Sequence, residues 1–263
     1  MHEIHKNLHQ THQQALSQGI SVISLMNQHS EYHLPPHQHE HGQLVMALKG
    51  AVRCEIGQQV WWVPTNAAVW LAPNTMHSHV ITANAQVCVA FVQAQEALAN
   101  VPSGTIGVSA LFKQVLLALA QEAAHLPLEH RQLLLKLLVW ELKRAPTQAF
   151  AIDVLQNPRL QNLYQAALSA PMHLPDGKYW AEKLAMSERT LLRLVKQDTG
   201  LSFARWRQQV QLMASLMRLS EGASVQQVAM DLGYESVSAF IKVFKKRLGQ
   251  TPKRYVLQTQ GVL

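Results

Sequence analysis

From Gly19 to Gln93 the apolar positions come in short runs separated by turn residues. "QLVMALKG", "AVRCEIG", "QQVWWVP", "AAVWLAP", "HSHVITA" and "QVCVAFV" each have the length and texture of one β-strand. Short strands at even spacing predict an antiparallel barrel or sandwich. The period then changes. "SALFKQVLLALAQEAAHL" and "EHRQLLLKLLVWELKRA" carry apolar residues at helical spacing, and the second is apolar on nearly every side. Such a helix is either buried or half of a subunit contact. "RAPTQAFAIDVLQNPRL", with Pro146 and Pro158, reads as an interdomain connection, and from Pro158 onward the pattern is helical.

Composition sharpens this division. At 263 residues, with 48% hydrophobic and 15% charged positions, the chain has room for two domains with real cores. Residues 158–263 hold 15 Lys and Arg against 7 Asp and Glu, a balance of +8, while residues 1–157 hold 8 against 9, a balance of −1. The excess positive charge is therefore C-terminal, which suits either a polyanion partner or a solvated basic surface. Cys54 and Cys88 are too few for a disulfide framework and read as small buried hydrophobes. Residues 1–18, with His2, His5, His9 and His12, read as a polar, solvated leader without a signal-peptide core. The most apolar later stretch, "LLLKLLVWEL", is too short to span a membrane, so the expectation is a cytoplasmic protein.

In the C-terminal half, "KYWAEKLAMSERTLLRLVKQDTGLSF" lays out a short helix over 179–185, facing a core through Trp180, Leu184 and Ala185. A turn follows, then an N-cap at Ser187 and a second helix ended by Gly200. Leu191, Leu194 and Val195 form the inner face of that second helix, which leaves Arg189, Leu192, Arg193 and Lys196 outward. The layout recurs in "SVQQVAMDLGYESVSAFIKVFKKRLGQTP", with an N-cap at Ser236. Here Phe240, Val243 and Phe244 face inward, and Ser238, Ala239, Ile241, Lys242 and Lys245 face outward. The long amphipathic helix "SFARWRQQVQLMASLMRLSEG" joins the two as a spacer. Two helix-turn-helix units in register are a strong signal for DNA. Together these segments closely resemble the DNA-binding domain of AraC/XylS-type transcription regulators, over roughly residues 155–257. The resemblance implies two helices in successive major grooves, with Arg189, Leu192 and Arg193 reading bases from the first helix and Ser238, Ala239 and Lys242 from the second. Lys196 lies on the same outward face as a further DNA-binding candidate, and Lys245 fits a phosphate. Arg193 can pair with a guanine edge, whereas Leu192 departs from a polar reader and senses only thymine methyls or shape.

The N-terminal half carries "HQHEHGQ". His37 and His39 share a face if the stretch is a strand, and His77 comes from another run. The spacing His37, His39, Gln43, Gly50 resembles the first metal motif of a cupin, with Gln43 where glutamate usually stands. "WLAPNTMHS", ending at His77, resembles the second, with Asn74 in a place where glycine is common. His41 is a secondary candidate. Three imidazoles plus an amide oxygen suit a divalent Zn, Ni, Fe, Mn or Co ion. Alternatively the same histidines line a pocket for an organic ligand without metal. Trp61, Trp62 and Trp70 read either as core or as aromatic lining.

The expected whole is an α+β multidomain protein: a polar leader over 1–18, an antiparallel cupin or jelly-roll-like sensor barrel over 19–95, a helical linker over 104–145 that dimerises through 108–145, and an all-α domain with two helix-turn-helix motifs over 153–263. The expected function is a DNA-binding transcription regulator, not an enzyme, acting on promoter half-sites under control of a small molecule or metal. The competing reading is a dioxygenase-like cupin metalloenzyme with an accessory DNA-binding domain.

Overall fold

The computed structural model describes residues 19–27, 30–65, 67–83, 85–93, 98, 100–122, 126–145 and 151–259. The expected leader with its four histidines lies outside them, as does Pro146. The chain divides into two compact units, one built on residues up to 149 and the other on 150–263 together with Gln58–Val60.

The first unit is a pair of antiparallel sheets with a helical layer. One sheet is formed by β1 (Ile20–Met26), β3 (Gly42–Lys49), β6 (Ala67–Leu71), β8 (Gln86–Val92) and β9 (Gly104–Gly107), in the order β1-β8-β3-β6-β9. The other runs β5-β4-β7-β2, from β2 (Tyr32–His37), β4 (Val52–Ile56), β5 (Gln59–Val63) and β7 (His77–Ile81). Strand alternation separates two cores. Val45, Ala47, Cys54, Val63, Val69, Leu71, Ile81, Val87 and Val89 fill the space between the sheets. On the opposite face of the first sheet, Leu44, Met46, Ala68, Trp70, Cys88 and Ala90 pack with Phe112, Leu116 and Leu119 of α1 (Ala110–Glu122) and Leu135, Leu138 and Leu142 of α2 (Leu128–Arg144).

This arrangement departs from the sequence reading in two ways. The stretch 104–145 is no detached linker: β9 pairs with β6, and α1 and α2 cover the first sheet. Beyond the six strands legible in the pattern, β1, β2 and β9 complete the sheets. β2 contains Pro35 and Pro36, which cannot donate to a ladder, and it accordingly lies at an edge with an irregular register between Leu34 and His37. Of the two readings of Trp70, the core one holds: it belongs to the helix-side core, fully buried, with Nε1 donating to the Val101 carbonyl at 3.2 Å. It lines no pocket between the sheets.

The second unit opens with β10 (Ala151–Asp153) in place of the expected irregular connection. It lies beside Gln58–Val60: Val154 N–H donates to the Gln58 carbonyl at 2.9 Å, and the Trp206 indole donates to the Asp153 carbonyl at 3.2 Å. Helices follow: α3 (Gln161–Ser169), α4 (Gly177–Lys183), α5 (Glu188–Thr199), α6 (Phe203–Ser220), α7 (Val225–Asp231), α8 (Val237–Leu248) and α9 (Pro252–Thr259). Asp176, Ser187, Ser202, Ser224 and Ser236 each accept, through the side chain, an N–H of the first turn of α4, α5, α6, α7 and α8, so local chemistry starts each of these helices where it stands. Gly200 and Gly249, with φ of 71° and 74°, end α5 and α8 in left-handed caps. Trp180, Leu191, Val195, Trp206, Phe240, Phe244 and Tyr255 make the core.

Candidate functional site

The two helix-turn-helix units are α4–α5 and α7–α8, joined by α6. Their turns differ. In the first, Ala185 takes the left-handed conformation at φ 49°, two residues before the Ser187 cap. In the second, Gly233 takes it at φ 74°, three residues before Ser236. Ala185 was expected in the core, but the turn puts it in solvent. Val243, also expected inward, is only half-buried. On α5, Leu191, Leu194 and Val195 are buried, while Arg189, Leu192, Arg193 and Lys196 are exposed. Gln197 accepts from Arg193 Nη1 at 2.9 Å, which holds that guanidinium one turn above its own backbone. On α8, Phe240 and Phe244 are buried, while Ser238, Ala239, Lys242 and Lys245 are exposed. Each unit therefore presents one face of its second helix to solvent with both hydrogen-bonding and cationic groups on it, the chemistry needed for base edges and phosphates.

In the barrel, His37 ends β2, directly paired across the sheet with His77 of β7. The register irregularity at the prolines produces this pairing. His39 stands in the loop before β3, not on a strand, and its carbonyl accepts from Asn74 N–H at 2.8 Å. Asn74 has φ 59°, the left-handed conformation that glycine would otherwise supply. The ring centroids of His37 and His77 lie 4.3 Å apart, and those of His39 and His77 5.1 Å apart. One ring nitrogen from each of the three comes within 4.8 Å of the others.

Hydrogen bonding decides which nitrogens these are. His37 Nδ1 lies 2.9 Å from the Pro35 carbonyl, His39 Nδ1 2.7 Å from the His41 carbonyl, and His77 Nδ1 2.8 Å from the Thr75 carbonyl. A carbonyl only accepts, so each Nδ1 carries a proton, and in the neutral imidazole the lone pair is left on Nε2. His77 Nε2 is buried with no hydrogen-bond partner among the described residues, a cost that an occupant would relieve. Burial holds the His77 imidazole down to about 4 and that of His39 below its usual value, so both are neutral at pH 7, as metal ligands must be.

Gln43 Oε1 lies 3.4 Å from His39 Nε2. With that nitrogen unprotonated, the contact sets one acceptor against another and is no hydrogen bond. Two donors bound to one ion at about 2.1 Å in tetrahedral geometry lie about 3.4 Å apart. The residues present thus fit a divalent transition metal: three imidazoles oriented by backbone carbonyls, an orphaned buried lone pair, and an amide oxygen at ligand spacing. His41 supplies its carbonyl to His39. His79, which the sequence reading passed over, is 4% exposed and places Nε2 3.3 Å from Gln43 Oε1. Its signal was present in "HSHVITA", where His77 and His79 alternate on one strand and so share a face.

Comparison with known proteins supplies the family. A helix-turn-helix domain model matches residues 180–258, and an AraC-like ligand binding domain model matches residues 19–138. The chain is 39% identical to the HTH-type transcriptional regulator NimR of Escherichia coli over 231 residues, covering 87% of this chain and 84% of that protein. An HTH-type transcriptional regulator of Haemophilus influenzae is 30% identical over 124 residues, 45% of this chain and 42% of that protein. Fatty-acid-bound ToxT of Vibrio cholerae aligns over 93% of this chain and 97% of its own, at 14% identity and a TM-score of 0.38. No helix among the described residues is long and apolar enough to cross a membrane. With exposed second helices on two helix-turn-helix units and a ligand-binding domain ahead of them, the chain belongs to the AraC family of DNA-binding transcription regulators.

Proposed function

We propose that this regulator holds a divalent transition metal (Zn, Ni, Fe, Mn or Co) between Nε2 of His37, His39 and His77 and the amide oxygen of Gln43. The observation that carries this reading is the commitment of all three Nδ1 protons to backbone carbonyls, which leaves three lone pairs converging. When bound, the ion supplies a Lewis-acidic centre to which an effector can anchor. The barrel serves as sensor rather than as enzyme: the relatives are transcription regulators, and Gln43 offers no base where a glutamate would. The protein works where DNA is, in the cytoplasm.

The DNA readers are Arg189, Leu192 and Arg193 on α5 and Ser238, Ala239 and Lys242 on α8, with Lys196 and Lys245 on phosphates. Two copies associate through α1 and α2. Leu133 and Trp140 are 62% and 50% exposed on the face of α2 opposite Leu135, Leu138 and Leu142, two large apolar side chains that a second copy would cover. Ligand in the barrel biases these helices and so decides whether both DNA-binding units of a dimer reach their half-sites. A coupling of about 1–3 kcal/mol suffices.

The test is metal content of the full chain, purified without a polyhistidine tag or chelator, beside a His37→Ala/His77→Ala variant. About one ion per protomer in the parent and none in the variant is expected. No ion in either after divalent metals are added back overturns the metal reading and leaves an organic ligand among the histidines.

A further inference from the structure

The amide of Gln43 has two ends, and only the oxygen can serve a cation. Nothing in a glutamine's own shape selects that end. Left to His39 alone, the choice goes the wrong way: His39 Nε2 carries a lone pair, because its Nδ1 proton is given to the His41 carbonyl. The favourable partner for that lone pair is the amide NH2. A flipped amide would place two N–H groups in the site, cap His39 and repel an ion. Some other group must hold the oxygen in.

His79 is placed to do this. It sits two residues from His77 on β7, inside the barrel, with Nε2 3.3 Å from Gln43 Oε1. Among the described residues, that oxygen lies within hydrogen-bond distance of His39 and His79, and His39 has no proton to offer it. His79 Nδ1 is buried with no hydrogen-bond partner among the described residues, which leaves Nε2 as the nitrogen through which the ring makes its hydrogen bond. It does not belong to the group of converging ligand atoms. We infer that His79 is a positioning residue: as the Nε2–H tautomer it donates to Gln43 Oε1, locks the amide with its oxygen toward the three imidazoles, and so makes a glutamine usable where an acid would need no such help. This inference rests on the metal reading above and adds to it the reason why Gln43 can be a ligand.

A carboxylate has two equivalent oxygens and no wrong end, which separates positioning from packing. Zinc affinity is measured by competition with a chromophoric chelator for four full-length chains: parent, His79→Leu, Gln43→Glu and the double variant, with thermal unfolding of each metal-free form alongside. His79→Leu is expected to weaken zinc about 10- to 100-fold in the Gln43 background, the usual effect of losing an outer-shell partner. In the Gln43→Glu background the same substitution should change affinity less than about threefold. An equal loss in both backgrounds overturns the inference while leaving the metal site standing, because a packing defect does not distinguish an amide from a carboxylate. Binding of zinc, and of Ni, Fe, Mn or Co offered in its place, by no chain, the parent included, overturns the metal reading, and the inference falls with it. His79→Phe gives the same comparison if the leucine variant does not fold.

Discussion

Gly42 immediately precedes Gln43 and lies under the Trp70 ring, which makes Gly42→Ala a stringent test of how the barrel is packed. A Cβ built there would stand 2.1 Å from Trp70 Cη2 and 2.8 Å from Cζ2, whereas ordinary contact begins at 3.4 Å. The ring must therefore retreat by more than 1 Å. It cannot do so freely: Trp70 is fully buried against Phe112, Leu116 and Leu138, and its Nε1 is tied to the Val101 carbonyl. Overpacking of this kind costs about 1–3 kcal/mol, and losing the indole hydrogen bond about 1 more. Reduced unfolded-state freedom returns roughly 0.5–1 kcal/mol. The net expectation is about 1–3.5 kcal/mol. Read as hydrogen–deuterium exchange of the β3 and β8 amides in the full chain, that is exchange roughly 5- to 400-fold faster. In a Trp70→Leu background the alanine should be nearly neutral. An effect under about 0.5 kcal/mol, or an equal effect in both backgrounds, refutes the packing described here.

Three further outcomes are expected. Arg193→Ala should relax preference at one base position, at a cost of roughly 1–3 kcal/mol, whereas Lys245→Ala should weaken all sequences alike and flatten the salt dependence; binding profiles that do not change remove these residues from the interface. In the metal-free chain, His77 is held down to about 4 against an ordinary 6.5, so the folded barrel binds fewer protons than the unfolded chain. That contribution is complete above pH 6.5 and is lost as pH falls toward 4; burial holds His79 down to about 3, so it adds a loss of the same size, and about 3 kcal/mol in all should go between pH 6.5 and 5 in urea denaturation, and a flat profile contradicts it. Replacing the exposed Leu133 and Trp140 together by Lys and Glu should halve the sedimenting mass while the fold is kept, and an unchanged mass places the subunit contact elsewhere.

Chain-local physics determined much of this protein. The helices of the second unit, their serine caps and their glycine ends follow from interactions within four residues. For that reason α5 and α8, and the exposed faces carrying Arg193 and Lys242, were legible in the pattern of positions. The same holds for Asn74, whose left-handed backbone is an intrinsic tolerance of its side chain. The histidine cluster was legible only in part. His37 and His39 are near neighbours in the chain, but His77 joins them because β2 pairs with β7. Pro35 and Pro36 shift that register in a way periodicity cannot express. Ala185 took up the turn because the chain there needed a left-handed residue, against its own propensity. The short strands β9 and β10 carry too few residues to show a period, and only their sheet neighbours make them strands. His79 acquires a role only through Gln43, 36 residues away, because a hydrogen bond between strands is a property of their pairing and of no single segment.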